Sequence, residues 1–503
     1  DHLDSPHFPR PPLEMMANMS ELADDYGLDV WIWYPCVEGD FSDSLTLAYA
    51  LEDREKVLSR LPRVDAVFVP GGDPGEIHPD VLFPFMKKFE QLLHRYHPDA
   101  EIWSSIQNFD DEPATMGWTR SFYDKLRDSE YAWFDGVVFG PATETTLPEM
   151  RRQVPDRLPV RRYPDITHSM NCQYEVPDWD PAFKRTQGRE VINPRPMAFA
   201  TVFRDLDEYA CGFITYSEGC NDDVNKVVWS CLGWNPDQTV DEILAEYAQY
   251  FIGPEYKDEF AKGLLMLEKN WQGPVGKNSS IYPTLDHFQN LENDAAPQLK
   301  LNWRFQQTLY RAYYDAYVKA RYDHEMSLEK NALSVLQSAR KTGSLPAVNR
   351  ACEILADSAS IRPDWRCRIF ALAEALYQSI RMQLSVPLYG AKQIGRGANL
   401  DMMDTPLNHR VQLTEHLNRI RNQQEESKRL IMIDHLLTGA YRNEEIDWED
   451  RMQEHLQRQF PKQALEYSAD ELEYGPPVRR SFCKNDVKKQ GLFGFRTNQP
   501  DFH

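Results

Sequence analysis

Through the first half of the chain, short apolar runs alternate with stretches of helical periodicity. Residues 14–26 repeat apolar positions at helical spacing and stop at Gly27, a residue that ends helices readily. Residues 28–35, Leu-Asp-Val-Trp-Ile-Trp-Tyr-Pro, then read as a buried strand. The alternation recurs as helix 44–61 and strand 64–70, helix 81–96 and strand 101–106, helix 119–127 and strand 134–139, and helix 147–154 and strand 160–163. Further strands are predicted at 197–203 and 211–216. Apolar strands separated by amphipathic helices predict a parallel sheet covered on both faces.

Polar, glycine-rich and acidic residues follow these strands at 38–40, 71–73, 107–112, 165–168 and 217–223. A (β/α) barrel carries its active-site loops there, and an open doubly wound sheet also binds ligands at its carboxyl edge. No GxGxxG or GxxxxGK[ST] follows any strand, which removes support for nucleotide binding. The expected fold is therefore α/β, a (β/α)8-type TIM barrel over residues 1–270.

From about residue 285 the pattern changes. Segments 301–341, 345–359, 364–384 and 409–437 are long and helix-favouring, predicting an α-helical bundle domain over 285–440. Phe305, Tyr310, Tyr313, Tyr314 and Tyr317 fall at helical spacings and read as packing rather than as a ligand platform. Residues 441–503 read as an irregular C-terminal extension.

Charge narrows the partners. The 503 residues include 78 acidic and 56 basic side chains, a formal net charge of −22. That balance opposes nucleic acid, whose phosphates require a basic surface, and anionic lipid. No apolar run approaches the roughly 18 residues of a spanning helix, and no basic-then-apolar signal stands at Asp1. The eight cysteines form no CxxC and read as buried free thiols. No metal or cofactor is expected. Sequons at Asn18 and Asn278 are compatible with export, favouring a secreted or periplasmic location. The long helices and aromatic-rich second domain point to a homo-oligomer.

Four stretches carry candidate chemistry. Residues 67–76 deliver a hydrophobic strand, two glycines, then Asp73 and Glu76 in a tight turn. Glycines let backbone approach a ligand, and two carboxylates whose environments differ suit acid–base work. The competing reading is a turn in which Asp73 caps the backbone and Glu76 starts a helix. Residues 212–226 end a strand at Tyr216 and Glu218, with Asp222 and Asp223 read as residues at a helix N-terminus. Gln107, Asn108 and Asp110, then Asp165 and His168, supply amide, carboxylate and imidazole groups beside aromatics such as Trp33, the usual equipment for sugar hydroxyls. Arg161, Arg162, Arg195 and Lys226 are the cations that would admit a polyanion if they lined the mouth. No GxSxG, HExxH or cysteine-nucleophile context occurs.

Residues 26–33 (Tyr-Gly-Leu-Asp-Val-Trp-Ile-Trp) resemble the third barrel strand of the family 20 β-N-acetylhexosaminidases, and Val67 to Asp73 resemble its fourth, which ends Gly-Gly-Asp-Glu. Thr215 to Glu218, followed by Trp229 and Trp234-Asn235-Pro236, is similar to the last strand of that family. A helical domain after the barrel also resembles family 84. This glycoside hydrolase resemblance covers roughly residues 12–255. It implies that Asp73 orients a substrate 2-acetamido group and that Glu218 binds distal hydroxyls. The family's general acid adjoins that Asp, whereas here Pro74 and Gly75 precede Glu76. Numbered this way, two barrel strands precede Asp1. The expected function is hydrolysis of an oligo- or polysaccharide. The alternative is a non-catalytic glycan-binding protein on a degenerate barrel, and a lyase using Tyr163 or His168 as base is a third reading.

Overall fold

The computed structural model describes residues 10–217, 219–357 and 361–443. Glu218 and nearly all of the predicted C-terminal extension, residues 444–503, lie outside the described residues. The described residues divide into two compact units, one containing residues 10–175 and 196–243, the other 176–195 and 244–443.

The first unit is built on a parallel five-stranded sheet: β1 (Trp31–Trp33), β2 (Ala66–Val69), β3 (Glu101–Ser105), β4 (Gly136–Phe139) and β5 (Val160–Arg162), in sequential order. Parallel neighbours need a crossover, and a helix lies between each pair: Ser44–Leu58, Pro79–Tyr96, Trp118–Arg127 and Leu147–Gln153. Asp43 caps the first of these, accepting from the Leu45 and Thr46 amides. No residue of β2 exceeds 1% exposure, so both sheet faces are covered. Side chains alternate between faces. Ile32, Val67, Val69, Ile102, Val137 and Val160 join the large core shared with the helices. Ala66, Phe68, Trp103 and Val138 point the other way and pack with Trp31, Trp33, Tyr163 and Ile214. Trp103 lies across Gly136, its partner in register, where an added Cβ would come within 2.3 Å of the indole.

Two predicted strands come out differently. Residues 197–203 belong to the helix Pro196–Leu206, with a proline in its first turn and Phe199, Ala200 and Phe203 buried at helical spacing. That apolar run is short enough to mimic a strand, and the period of its buried positions decides the matter. Segment 211–216 forms only isolated parallel bridges, Phe213 to Arg162 and Tyr216 to Asp165. The described residues thus hold a five-stranded parallel sheet extended by a bridged segment; an eight-stranded closure is not among them.

The second unit is helical. Its 35-residue helix Trp303–Gln337 packs against Ile281–Asp294, Ser344–Leu355 and Pro363–Ile380, and Arg410–Asn422 packs on Ser344–Leu355. Phe305, Tyr310, Tyr313, Tyr314 and Tyr317 are all buried, as core packing requires. The tyrosine hydroxyls are satisfied: Tyr310 donates to Asn399 Oδ1 (2.7 Å), Tyr313 to Glu292 Oε2 (3.0 Å), Tyr314 to the Asn399 carbonyl (2.7 Å) and Tyr317 to Asp404 Oδ1 (2.7 Å).

Asp401 makes this unit sensitive to rising pH between about 4 and 6. Burial pushes its carboxyl up to about 6 from an ordinary 3.8, against the opposing hydrogen bonds from Ser385 Oγ (2.6 Å) and the Val386 amide (2.7 Å). A raised folded-state value means the folded protein holds this proton more tightly, so the full contribution is present below about pH 4 and is lost as pH rises to about 6. The shift corresponds to about 3 kcal/mol. In Asp401→Asn, whose amide mimics the protonated acid, that decline with rising pH is expected to disappear. Denaturant midpoints of both proteins between pH 4 and 7 measure it, and parallel curves would refute the assignment.

Candidate functional site

At the carboxyl ends of the strands Asp73 meets Gln107, and Asp165 meets His168 beside Tyr216. β2 runs into Pro70-Gly71-Gly72-Asp73, and β3 into Ile106-Gln107-Asn108. Both glycines meet protein: a Cβ on Gly71 would lie 2.1 Å from the Ser105 carbonyl oxygen, and one on Gly72 2.4 Å from that of Gln107. They were expected to admit a ligand; here they let the β2 exit press against the end of β3. Gly71→Ala is therefore expected to lower stability by about 1–3 kcal/mol, the usual cost of overpacking. A shifted urea midpoint with unchanged slope would report it, and an unshifted midpoint would contradict the packing.

That close approach delivers Asp73 to Gln107. Asp73 is half-buried, and Gln107 Nε2 donates to its Oδ2 at 3.3 Å. Gln107 is buried, and its Oε1 has no hydrogen-bond partner among the described residues. A buried amide oxygen left without a donor is an exception to the usual pairing of buried polar groups. Glu76 is exposed, with φ +42°, and its amide closes the turn onto the Gly72 carbonyl (2.9 Å). The turn also rests on the β1 exit, since a Cβ on Gly75 would come within 3.0 Å of the Cys36 carbonyl oxygen. Arg54 fixes that exit. Fully buried, it bonds Glu38, the Pro35 carbonyl (2.9 Å) and the Ala50 carbonyl (3.0 Å), with its guanidinium 4.4 Å from the Tyr34 ring centre. Nothing in the sequence distinguishes Arg54 from a solvated helix arginine.

Asn108 and Asp110 both have positive φ, +56° and +65°. Asn108 donates its amide to the Ala142 carbonyl (2.8 Å), and Asp110 Oδ1 accepts from the Trp118 amide (3.0 Å) at the start of the next helix. Trp33 is half-buried in the aromatic cluster on the sheet.

After β5 the chain enters a buried polar network. Asp165 Oδ2 is 2.7 Å from His168 Nδ1, and its Oδ1 accepts from the Thr167 and His168 amides. Both side chains are buried, and His168 stacks on half-buried Tyr216 at 5.8 Å. Gln173 ties this loop to the previous strand end, its Oε1 accepting from the Asp165 amide and its Nε2 reaching the Gly140 carbonyl. Thr167 Oγ1 donates to Asp222 Oδ2 at 2.5 Å; Ser217 Oγ and Lys226 Nζ approach Oδ1 at 3.2 and 3.1 Å. Asp222 was expected as a helix N-terminal residue. It does occupy the cap position of Asp223–Trp234, yet its side chain makes no capping bond and turns into this network. Complete burial pushes its carboxyl up, opposed by Lys226.

The cations considered for the mouth are committed elsewhere. Arg161 lies 3.6 Å above Trp31, Arg162 is buried on Phe203 and Asp207, and Lys226 holds Asp222 and the Gly219 carbonyl. In the second unit, Arg195 is buried against Asn193. Among the described residues no group of three or more His, Cys, Asp or Glu could hold a metal.

No protein-family model matches the chain, and no curated protein matches it. A solved structure titled "Structure of CpGH84B" aligns over 73% of this chain and 68% of its own, at 11% sequence identity and a TM-score of 0.40. At that distance the fold rests on the chain's own strands and helices.

Proposed function

We propose that this chain is a glycoside hydrolase acting on a glycan, with Asp73 and Glu76 as its central carboxylates. The observation that carries this reading is the half-buried Asp73 carboxylate beside the unpartnered, buried Gln107 Oε1 at the carboxyl edge of a parallel sheet. In it, β1 to β5 and the bridged segment Phe213–Tyr216 are neighbouring positions of a (β/α)8 barrel, residues 285–440 form an appended helical domain, and Glu218 adds a further hydroxyl contact. With a 2-acetamido sugar, Asp73 accepts from the acetamido N–H while the acetamido carbonyl oxygen attacks the anomeric carbon, the glycosidic C–O bond breaks with Glu76 protonating the departing oxygen, and water then hydrolyses the oxazoline.

Screening the protein against aryl glycosides and polysaccharides, beside an Asp73→Asn/Glu76→Gln double variant, tests the proposal. Release of aglycone by the wild type alone supports hydrolysis. Equal inactivity across a broad panel would overturn it and leave the glycan-binding alternative.

A further inference from the structure

The second unit holds a cavity of about 290 Å³ lined by Tyr282, Leu285, Asp286, Ala320, Arg362 and Trp365. Its walls come from three helices packed on one another: Ile281–Asp294, Trp303–Gln337 and the start of Pro363–Ile380. We propose that it binds one neutral pyranose ring, a sugar residue of a glycan.

Size is the first argument. Small-molecule pockets run from about 300 Å³ upward, so this one takes a single six-membered ring with its hydroxyls. Wall chemistry is the second. The half-buried Tyr282 ring stands 6.2 Å from the Trp365 ring, inclined at 48°, and offers its face, beside Ala320, to the C–H side of a sugar, with buried Leu285 and Trp365 packed beneath. Tyr282 is held from behind, its hydroxyl donating to Asp323 Oδ2 (3.2 Å) and Lys319 Nζ lying 5.5 Å from its ring centre.

Charge selects among ring-bearing ligands. The Arg362 guanidinium lies 3.4 Å from the Trp365 ring centre and bonds Asp364 through Nε (3.1 Å) and Nη2 (2.7 Å). Its Nη1 makes no hydrogen bond among the described residues. Asp286 is exposed at the rim and makes no hydrogen bond or ion pair among the described residues. A cation would face Arg362, and an anion would face Asp286 and Asp364. A polyhydroxylated neutral ring satisfies both, with two hydroxyls donating to Asp286 and an oxygen accepting from Arg362.

This site stands apart from the hydrolase reading, and its test uses the full chain carrying Asp73→Asn so that turnover does not enter. Calorimetric titration with the methyl glycosides of glucose, galactose, mannose and N-acetylglucosamine is expected to show saturable binding of at least one. Asp286→Ala and Tyr282→Ala are each expected to weaken it by about tenfold or more, while Asp286→Asn, which keeps one acceptor, loses less. Circular dichroism of each variant verifies folding. Binding of none of the four sugars, or binding unchanged by both alanine variants, overturns the proposal. So does displacement of the sugar by sulfate or tetramethylammonium, which would assign the cavity to an ion. Wild-type hydrolysis is read separately, so failure of either proposal leaves the other standing.

Discussion

Replacing Asp315 with leucine is expected to lower the stability of the helical unit by about 3–5 kcal/mol, the usual result of removing one partner from a buried ion pair. Asp315 sits inside the long helix and has no exposed surface. Both of its oxygens lie 2.9 Å from Arg311 Nε one turn earlier, and Gln187, Asn270 and Trp271 donate to it as well. Arg311 is itself buried, 3.4 Å above the Trp271 ring centre, donating to the Ile192 and Leu267 carbonyls. Burial pushes the Asp315 carboxyl up and the Arg311 guanidinium down, and their attraction opposes both shifts. Leucine would leave Arg311 charged, buried and unpaired, with three further donors orphaned. Asp315→Asn keeps part of the hydrogen bonding and should lose less, and Arg311→Met/Asp315→Leu should recover much of the loss because no lone charge remains. Urea unfolding of the three variants decides the matter; a single leucine variant as stable as wild type would show that the pair contributes nothing.

The strands were legible because each is apolar, short and followed by an amphipathic helix. All five fall inside the predicted segments, and Ala66–Val69 is as buried as a continuous apolar run implies. The helix at Pro196–Leu206 was misread because Met-Ala-Phe-Ala-Thr-Val-Phe satisfies a strand pattern as well as a helical one, and only packing against Asp223–Trp234 separates them. Candidate carboxylates were visible as residue types after strands. Their surroundings were not, because contacts such as Gly71 with Ser105, Arg54 with Pro35 and Thr167 with Asp222 join positions 19 to 55 residues apart. Sequence periodicity marks which face a residue takes and leaves open which distant atom it meets. Asp165 and His168 illustrate the limit: as residue types they suit sugar hydroxyls, whereas folded they are buried and hold one another.

In the hydrolase proposed above, Asp73→Asn is expected to reduce kcat by about 10²- to 10⁴-fold, the range for losing a carboxylate that moves a proton or stabilises developing charge. The amide keeps the size of the side chain and can still meet Gln107, so folding should be little affected. Glu76→Gln should behave differently. A general acid matters in proportion to how poorly the leaving group departs unaided, so loss should be severe for alkyl glycosides and slight for 2,4-dinitrophenyl glycosides. Asp73→Asn should slow both substrates, because charge at the anomeric carbon develops whatever the leaving group is. Gln107→Leu removes the acceptor without touching either carboxylate and should act most strongly on substrates bearing a 2-acetamido group. An equal loss for both leaving groups in Glu76→Gln would remove Glu76 from the acid role. Full activity in Asp73→Asn would remove the turn after β2 from the chemistry altogether.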